Sequence, residues 1–388
     1  MNRREFLNSA LATTLVGNAT TRKAIAQTAQ TTRSISLQAY SRFLHWVRTP
    51  AEVANACREL SCKQIMLTVQ DGATAHVQQA NLVTELPRFV NGLRSEGIEV
   101  PAIRGGNQTD VDANVERLVG TMADLGITNY WLGNDGYDLS QPMTPQLDAI
   151  KRKVERFVTL NERNGTTLMY HTRAGASTVG AVVLDLLYVL QDFDPRHVGF
   201  HWDTGHMALH GPMWETLLRA AAPYVTCCSW KDRAWRQDLG GLTEQGGPFP
   251  GPNPPAPAAA GGGGGRGRGG GAGAGAGGRA GGQAPNPDPY ARIPLPLAGE
   301  HFARGMGWSV PIVPLGTGVV DFFRYGEVLR DIGFNGTMNF QAEYAGLGGA
   351  ERGLADLTAP RRLVLGKLKR DVLTIRIALA QSGSGIVI

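Results

Sequence analysis

Short runs rich in β-branched and aromatic residues alternate along this chain with longer segments of helical periodicity, and the alternation can be counted. The runs are Ser34 to Tyr40, Gln64 to Val69, Val100 to Ile103, Thr128 to Leu132, Thr167 to His171, Val198 to Asp203, Tyr224 to Trp230 and Gly336 to Glu343. Their length and composition suit strands rather than helices. Helical patterns such as Thr49 to Leu60, Asp112 to Leu125, Pro145 to Asn164, Met213 to Ala222 and Asp321 to Ile332 separate them, and Arg361 to Ala380 follows the last. Pro145 and Pro212 fall near helix starts, where a missing N–H costs little. Eight such units predict an α/β fold in which a parallel sheet closes into a (β/α)8 TIM barrel. An open doubly wound sheet is the poorer reading, because no G-x-G-x-x-G fingerprint follows the first strand.

One segment breaks the rhythm. From Pro248 to Pro289 the chain is almost entirely Gly, Ala and Pro, a composition that cannot form a core and predicts a mobile insertion. It falls after the seventh strand, on the C-terminal face where barrel sites lie. Its GRGRGG is read as spacer rather than RNA-binding tail.

The N-terminus reads as a leader. NRREFL at Asn2 to Leu7 precedes an apolar run from Phe6 to Ala19, then Arg22 and Lys23, then the small-x-small triplet Ala24-Ile25-Ala26. That order resembles a twin-arginine signal, which predicts a leader over residues 1–30, an exported periplasmic product and a barrel over 31–388 interrupted by loop 248–289. Elsewhere no apolar stretch approaches the ~20 residues of a membrane span, so none is expected in the mature form.

Charge narrows the partners. The formal charge of +5 divides into +3 near the N-terminus, where Arg3, Arg4, Arg22 and Lys23 outweigh Glu5, and +3 from Arg266, Arg268 and Arg279 in the insertion, which leaves the body near −1. Such a body lacks the positive footprint that a phosphate backbone requires, so nucleic acid is not expected as a partner. Cys57, Cys62, Cys227 and Cys228 have spacings that suit neither a local disulfide nor a zinc knuckle, and they read as buried thiols.

In a barrel the polar residues at strand C-terminal ends point into the mouth. The sixth strand ends VGFHWDTGHM, which places His201 and Asp203 on one face with His206 in the following turn. This group could ligate a divalent metal, or Asp203 could cap the next helix while His206 packs. The eighth ends MNFQAEY, where Glu343 closes an apolar strand and calls for a partner. The fifth ends TLMYHTRAG, with His171 and Arg173 on one face, and the seventh CCSWKDRAW, where Lys231 and Asp232 form a solvated pair or meet a substrate. Neighbouring polar strand ends of this kind point to one shared site.

These motifs resemble the xylose isomerase-like barrels of sugar isomerases and epimerases. VGFHWDTGHM is similar to their Asp-Thr-x-His segment, SWKD to their His-x-Lys-Asp strand, and LGTGVVDFFRYGEVLRDIGFNG with QAEY to their final βαβ unit, over about Ser34 to Ala380. The resemblance implies a divalent metal, often manganese, held by Glu, Asp, His and Glu from the fifth to eighth strands. The Asp carries over to Asp203 and the last Glu to Glu343. His171 stands where the first Glu is expected, as in a Tyr-His-Asn-His variant, with Arg173 in place of that variant's second His. Ser229 stands where the His is expected. Loss of the first Glu removes one base of a two-glutamate epimerase, and loss of the His removes a ligand unless His201 or His206 substitutes.

The resulting expectation is a metal-assisted sugar isomerase, epimerase or lyase that abstracts a proton next to a carbonyl of an unphosphorylated sugar or keto-sugar. His171, Asp203 and Glu343 would hold the metal, whether Mn, Zn, Co or Mg. Glu343, His206 and Lys231 would serve catalysis, and Arg173, His201 and Asp232 would contact the sugar. The alternative is a non-catalytic carbohydrate- or partner-binding barrel with a degenerate metal site. An endonuclease IV-like nuclease would need more His and Glu ligands and a basic surface. Assembly into a homo-oligomer stays open.

Overall fold

The computed structural model describes residues 33–175, 177–237, 308–353 and 356–388. The expected leader over 1–30 and the Gly-rich loop 248–289 lie outside the described residues. Eight parallel strands close into a barrel: β1 (Leu37–Tyr40), β2 (Gln64–Thr68), β3 (Glu99–Arg104), β4 (Asn129–Trp131), β5 (Thr167–His171), β6 (Val198–Asp203), β7 (Val225–Trp230) and β8 (Thr337–Phe340). β8 pairs with both β7 and β1 and so completes the ring. One helix follows each strand on the outside: α1 (Pro50–Glu59), α2 (Leu82–Ser95), α3 (Ala113–Asp124), α4 (Met143–Asn164), α5 (Leu184–Leu190), α6 (Trp214–Ala221), α7 (Phe322–Asp331) and α8 (Arg361–Gln381). The predicted (β/α)8 architecture is therefore the observed one.

Local chemistry explains the boundaries. Thr49 and Glu52 form a reciprocal capping box at α1 with Pro50 as its first residue. Asp112 and Asp321 cap α3 and α7 by accepting backbone N–H groups of their first turns. Gly165, at φ 63°, ends α4 in the left-handed conformation that a Cβ would oppose. The sequence places the start of α4 at Pro145, yet it begins at Met143, because a proline in the first turn removes only an N–H that has no acceptor. α2 carries Pro87 in its interior, which hides it from a periodicity search.

Two strand ends differ from expectation. Arg33–Ser34 pairs with Ile386–Val387 at the opposite end of the chain rather than extending β1. β8 leaves the ladder at Phe340, and the last bond runs from Gln341 N to Trp230 O, so Glu343 stands in the loop over the mouth.

Trp202, Trp230, Tyr130, Phe157, Phe200 and Phe340 are among the largest fully buried side chains of the continuous core. At about 25 cal/mol per Å2 of apolar surface removed from water, such burial is the main term favouring the closed barrel. All four cysteines are buried free thiols, as the spacing suggested. Among the described residues no helix is long and apolar enough to cross a membrane.

β7 continues into an antiparallel ribbon. Asp232–Arg233 pairs with Ile312–Val313, and Arg236–Gln237 pairs with Trp308–Ser309.

Candidate active site

The register between β6 and β7 builds the centre of the site. Asp203 pairs with Ser229, which sets Lys231 two residues beyond it at the mouth. The Thr204 hydroxyl then locks the pair, donating to Lys231 O at 2.7 Å and accepting from Lys231 N at 2.9 Å. Gly205 faces the lysine stem so closely that a Cβ there would come within 2.6 Å of Lys231 Cγ.

The stem is thereby directed inward, and its ammonium meets two carboxylates. Lys231 Nζ lies 2.9 Å from Asp203 Oδ2 and 2.8 Å from Glu343 Oε2. It is also 3.3 Å from His206 Nε2. Asp203 is fully buried and Lys231 is 1% exposed, whereas the Glu343 side chain keeps 22% exposure toward the mouth.

Asp203 fills both of the roles the sequence left open. Its Oδ1 accepts the His206 N–H and caps the four-residue helix Thr204–Met207. Its Oδ2 faces Lys231, His171 Nε2 at 3.3 Å and His206 Nε2 at 3.9 Å. His171 stacks on Trp131 at 4.6 Å between ring centroids and has Gln341 Nε2 3.2 Å from its Nε2.

Burial and charge oppose each other here. Burial alone would push Glu343 up, but the charges of Lys231 and Arg42 overcome it and hold the carboxyl at about 2. Burial likewise acts upward on Asp203, and Lys231, His206 and His171 hold it well below the carboxylate range. For His171 burial dominates over the attraction of Asp203 and lowers it to about 4. His206 is lowered by burial and then by Lys231. At neutral pH the site holds two carboxylates, an ammonium and neutral imidazoles.

Two of the expected sugar contacts, Asp232 and His201, are buried and engaged by the protein itself. Asp232 is buried away from the mouth, and its carboxylate accepts the N–H groups of Gly316, Gly318, Val320 and Arg233. Burial outweighs those four donors and leaves its carboxyl above the usual range. It braces the segment leading into α7. His201 is fully buried one layer deeper than Asp203, with Asn339 Nδ2 3.3 Å from its Nε2.

The metal expected between His171, Asp203 and Glu343 meets a different obstacle. Those residues do converge, but the Lys231 ammonium stands among their oxygens, where a metal with bonds near ~2 Å would have to sit. Ser229, at the missing His position, donates to Asn339 Oδ1 and is not available as a ligand. Among the described residues no group of three or more His, Cys, Asp or Glu has the geometry to hold an ion. The residues present do not fit a divalent metal in the predicted way.

Beside the expected Arg173 stand two arginines that the sequence motifs did not mark. Arg42 follows β1 and has NH1 3.8 Å from Glu343 Oε1. Arg104 ends β3 with its guanidinium carbon 4.4 Å from the Trp131 ring centroid. Arg173 comes within 6.0 Å of the same ring and donates from Nε to Asn134 Oδ1 at 3.4 Å. The signal for Arg104 is local, since AIRGG closes β3 with a charged residue after an apolar run.

No protein-family model and no curated protein matches the sequence. Solved structures do match. An L-ribulose 3-epimerase superposes with a TM-score of 0.52 at 14% identity, covering 90% of this chain and 95% of the other. The chain shares the fold of known sugar epimerases. A Clostridium cellulolyticum D-psicose 3-epimerase, determined with D-tagatose, gives 0.51 at 11% identity over 89% and 99% of the two chains. An E. coli 3-keto-D-glucoside 4-epimerase gives 0.52 at 10% identity over 87% and 98%. These likenesses agree with the (β/α)8 barrel expected from the sequence.

Proposed function

We propose that this barrel is a sugar-active enzyme that moves a proton on the carbon next to a carbonyl, giving isomerisation or β-elimination. The observation that carries the reading is the Lys231 ammonium shared between Asp203 and Glu343 at the mouth of an epimerase-type barrel. The matched structures are an L-ribulose 3-epimerase, a D-psicose 3-epimerase and a 3-keto-D-glucoside 4-epimerase, and they support the substrate class.

Chemistry follows from the chain's own groups. Lys231 donates to the substrate carbonyl oxygen and stabilises the negative charge that develops there. In the free protein the same ammonium holds Glu343 at about 2, too acidic to take a proton from carbon. A sugar oxygen that draws Lys231 away weakens that contact and makes Glu343 a stronger base as substrate binds. Neutral His206, 3.3 Å from Lys231 Nζ, donates to or accepts from the neighbouring hydroxyl. Asp203 fixes the position of Lys231 through their 2.9 Å contact. His171 in place of a second glutamate favours one-base isomerisation or elimination over a symmetric epimerisation.

The test is solvent deuterium exchange into keto-sugars by the full chain, with Glu343→Gln as comparison. Exchange that disappears in the variant supports the reading. Absence of exchange with every keto-sugar would overturn it in favour of a non-catalytic sugar-binding barrel, the second reading that the Ser229–Asn339 contact favours. Export to the periplasm belongs to this proposal, supported by the NRREFL leader pattern.

A further inference from the structure

The arginines of the mouth are not explained by proton transfer to or from a neutral sugar. Arg42, Arg104 and Arg173 arise from the ends of β1, β3 and β5, and two of them flank Trp131 at 4.4 and 6.0 Å. Neither Arg104 nor Arg173 makes an ion pair among the described residues, and the Arg42 contact with Glu343 is a long 3.8 Å. Asp203 and Glu343, the carboxylates at the centre, already face Lys231.

Arg104 is the most telling of the three. It is 7% exposed, and its donors go to Gly105 O, Gly106 O and Asn107 Oδ1, all neutral groups. Burial lowers it to about 10, with Tyr40 opposing the shift and the charges of Arg173 and Arg42 adding to it. A desolvated guanidinium beside two like charges is an unfavourable arrangement that a bound anion relieves. Arg42 belongs to the same group by position, because Tyr40, two residues before it, has its ring 6.4 Å from the Trp131 ring that the other two arginines approach.

We propose that Arg42, Arg104 and Arg173 form an anion subsite that binds the carboxylate of a sugar acid, beside the Lys231–Glu343 centre. The proposal rests on the sugar-active reading above and narrows its substrate from neutral keto-sugars to uronate- or aldonate-type acids. A guanidinium fork matches the two oxygens of a planar carboxylate. Arg173 is half-buried, and among the described residues only its Nε donates a hydrogen bond, to Asn134 Oδ1 at 3.4 Å, which leaves the two terminal nitrogens of its fork for a ligand. A singly charged group suits a rim in which Glu343 already stands 3.8 Å from Arg42, whereas a phosphate dianion would be repelled by that carboxylate.

Calorimetric titration of the full chain with galacturonate, galactose and galactose 6-phosphate tests this. The acid is expected to bind roughly tenfold or more tighter than the neutral sugar, with an advantage that shrinks as salt rises. In Arg173→Gln the ratio of the two affinities should fall to within about twofold, and Arg173→Lys should restore part of it. Each ratio comes from one sample, so partial misfolding cannot mimic the effect. Equal affinity for acid and neutral sugar in the unaltered protein overturns the subsite and leaves the sugar-active reading intact. Tighter binding of the phosphate than of the acid overturns the carboxylate assignment. If no sugar of any kind binds or exchanges, both proposals fall.

Discussion

Lys231 and Asp203 face each other at 2.9 Å across the β6–β7 register, both almost wholly removed from water. Taking away one partner of such a pair leaves an uncompensated buried charge, a loss of about 3–5 kcal/mol. Lys231→Ala is therefore expected to unfold at markedly lower denaturant. It also leaves Asp203, Glu343, His171 and His206 around a gap without a cation. The variant should bind Mn2+ or Zn2+ and regain stability with it, while the unaltered protein gains little. Urea melts with and without metal check this, and equal metal stabilisation of both proteins would contradict the assignment of Lys231 as the central cation.

Gly205 controls where that ammonium points. A Cβ there meets Lys231 Cγ at 2.6 Å and Cβ at 2.9 Å, so Gly205→Ala must move the stem. Overpacking of this sort costs roughly 1–3 kcal/mol. The expected result is loss of proton exchange or sugar binding well beyond the fall in Tm, measured side by side. Unchanged binding would show that the position of Lys231 is not decisive.

Asp232 predicts a stability effect without a direct role in chemistry. Its two oxygens accept four backbone N–H groups from Arg233, Gly316, Gly318 and Val320. Asp232→Asn turns one oxygen into a donor facing other donors. With two N–H groups left unmet at about 1–3 kcal/mol each, a drop of several kcal/mol is expected. Thermal melting tests this.

Asp371 on α8 predicts a pH dependence. Tyr344 donates to its Oδ2 at 2.7 Å and Leu315 N to its Oδ1 at 3.2 Å. Burial raises its carboxyl to about 6 despite these bonds. A carboxyl raised above its unfolded value of about 4 contributes stability that is present below pH ~4 and lost as pH rises through ~6. Asp371→Asn removes that dependence. The stability of the variant relative to the unaltered protein should rise by about 2 kcal/mol between pH 4 and 7.5. A flat difference over that range would rule the raised pKa out.

The strands were legible because their signals are local. A run such as Val198 to Asp203 between two polar turns identifies itself, and each barrel strand overlaps a range read from sequence, with differences of three residues at the start of β1 and the end of β8 and of one residue or none elsewhere. α2 was obscured by Pro87, and α5 by being only seven residues long. Asp203, Glu343, His171 and His206 could be named as candidates because polar residues closing apolar strands need partners. Their partners could not be named. Trp131 beneath His171, Gln341 beside it, and Arg42 and Arg104 around the rim are distant in sequence.

The sequence by itself determined the barrel, since alternation of strand and helix periods depends only on residues a few positions apart. Tertiary structure decided what the mouth is. The β6–β7 register sets Lys231 above Asp203, closure of the ring brings Glu343 to the same ammonium, and Asp232 turns aside to hold a loop. Electrostatic energies depend on distance and burial, and neither is fixed until the ring closes. That is why a motif suggestive of a metal site folds into one centred on a lysine.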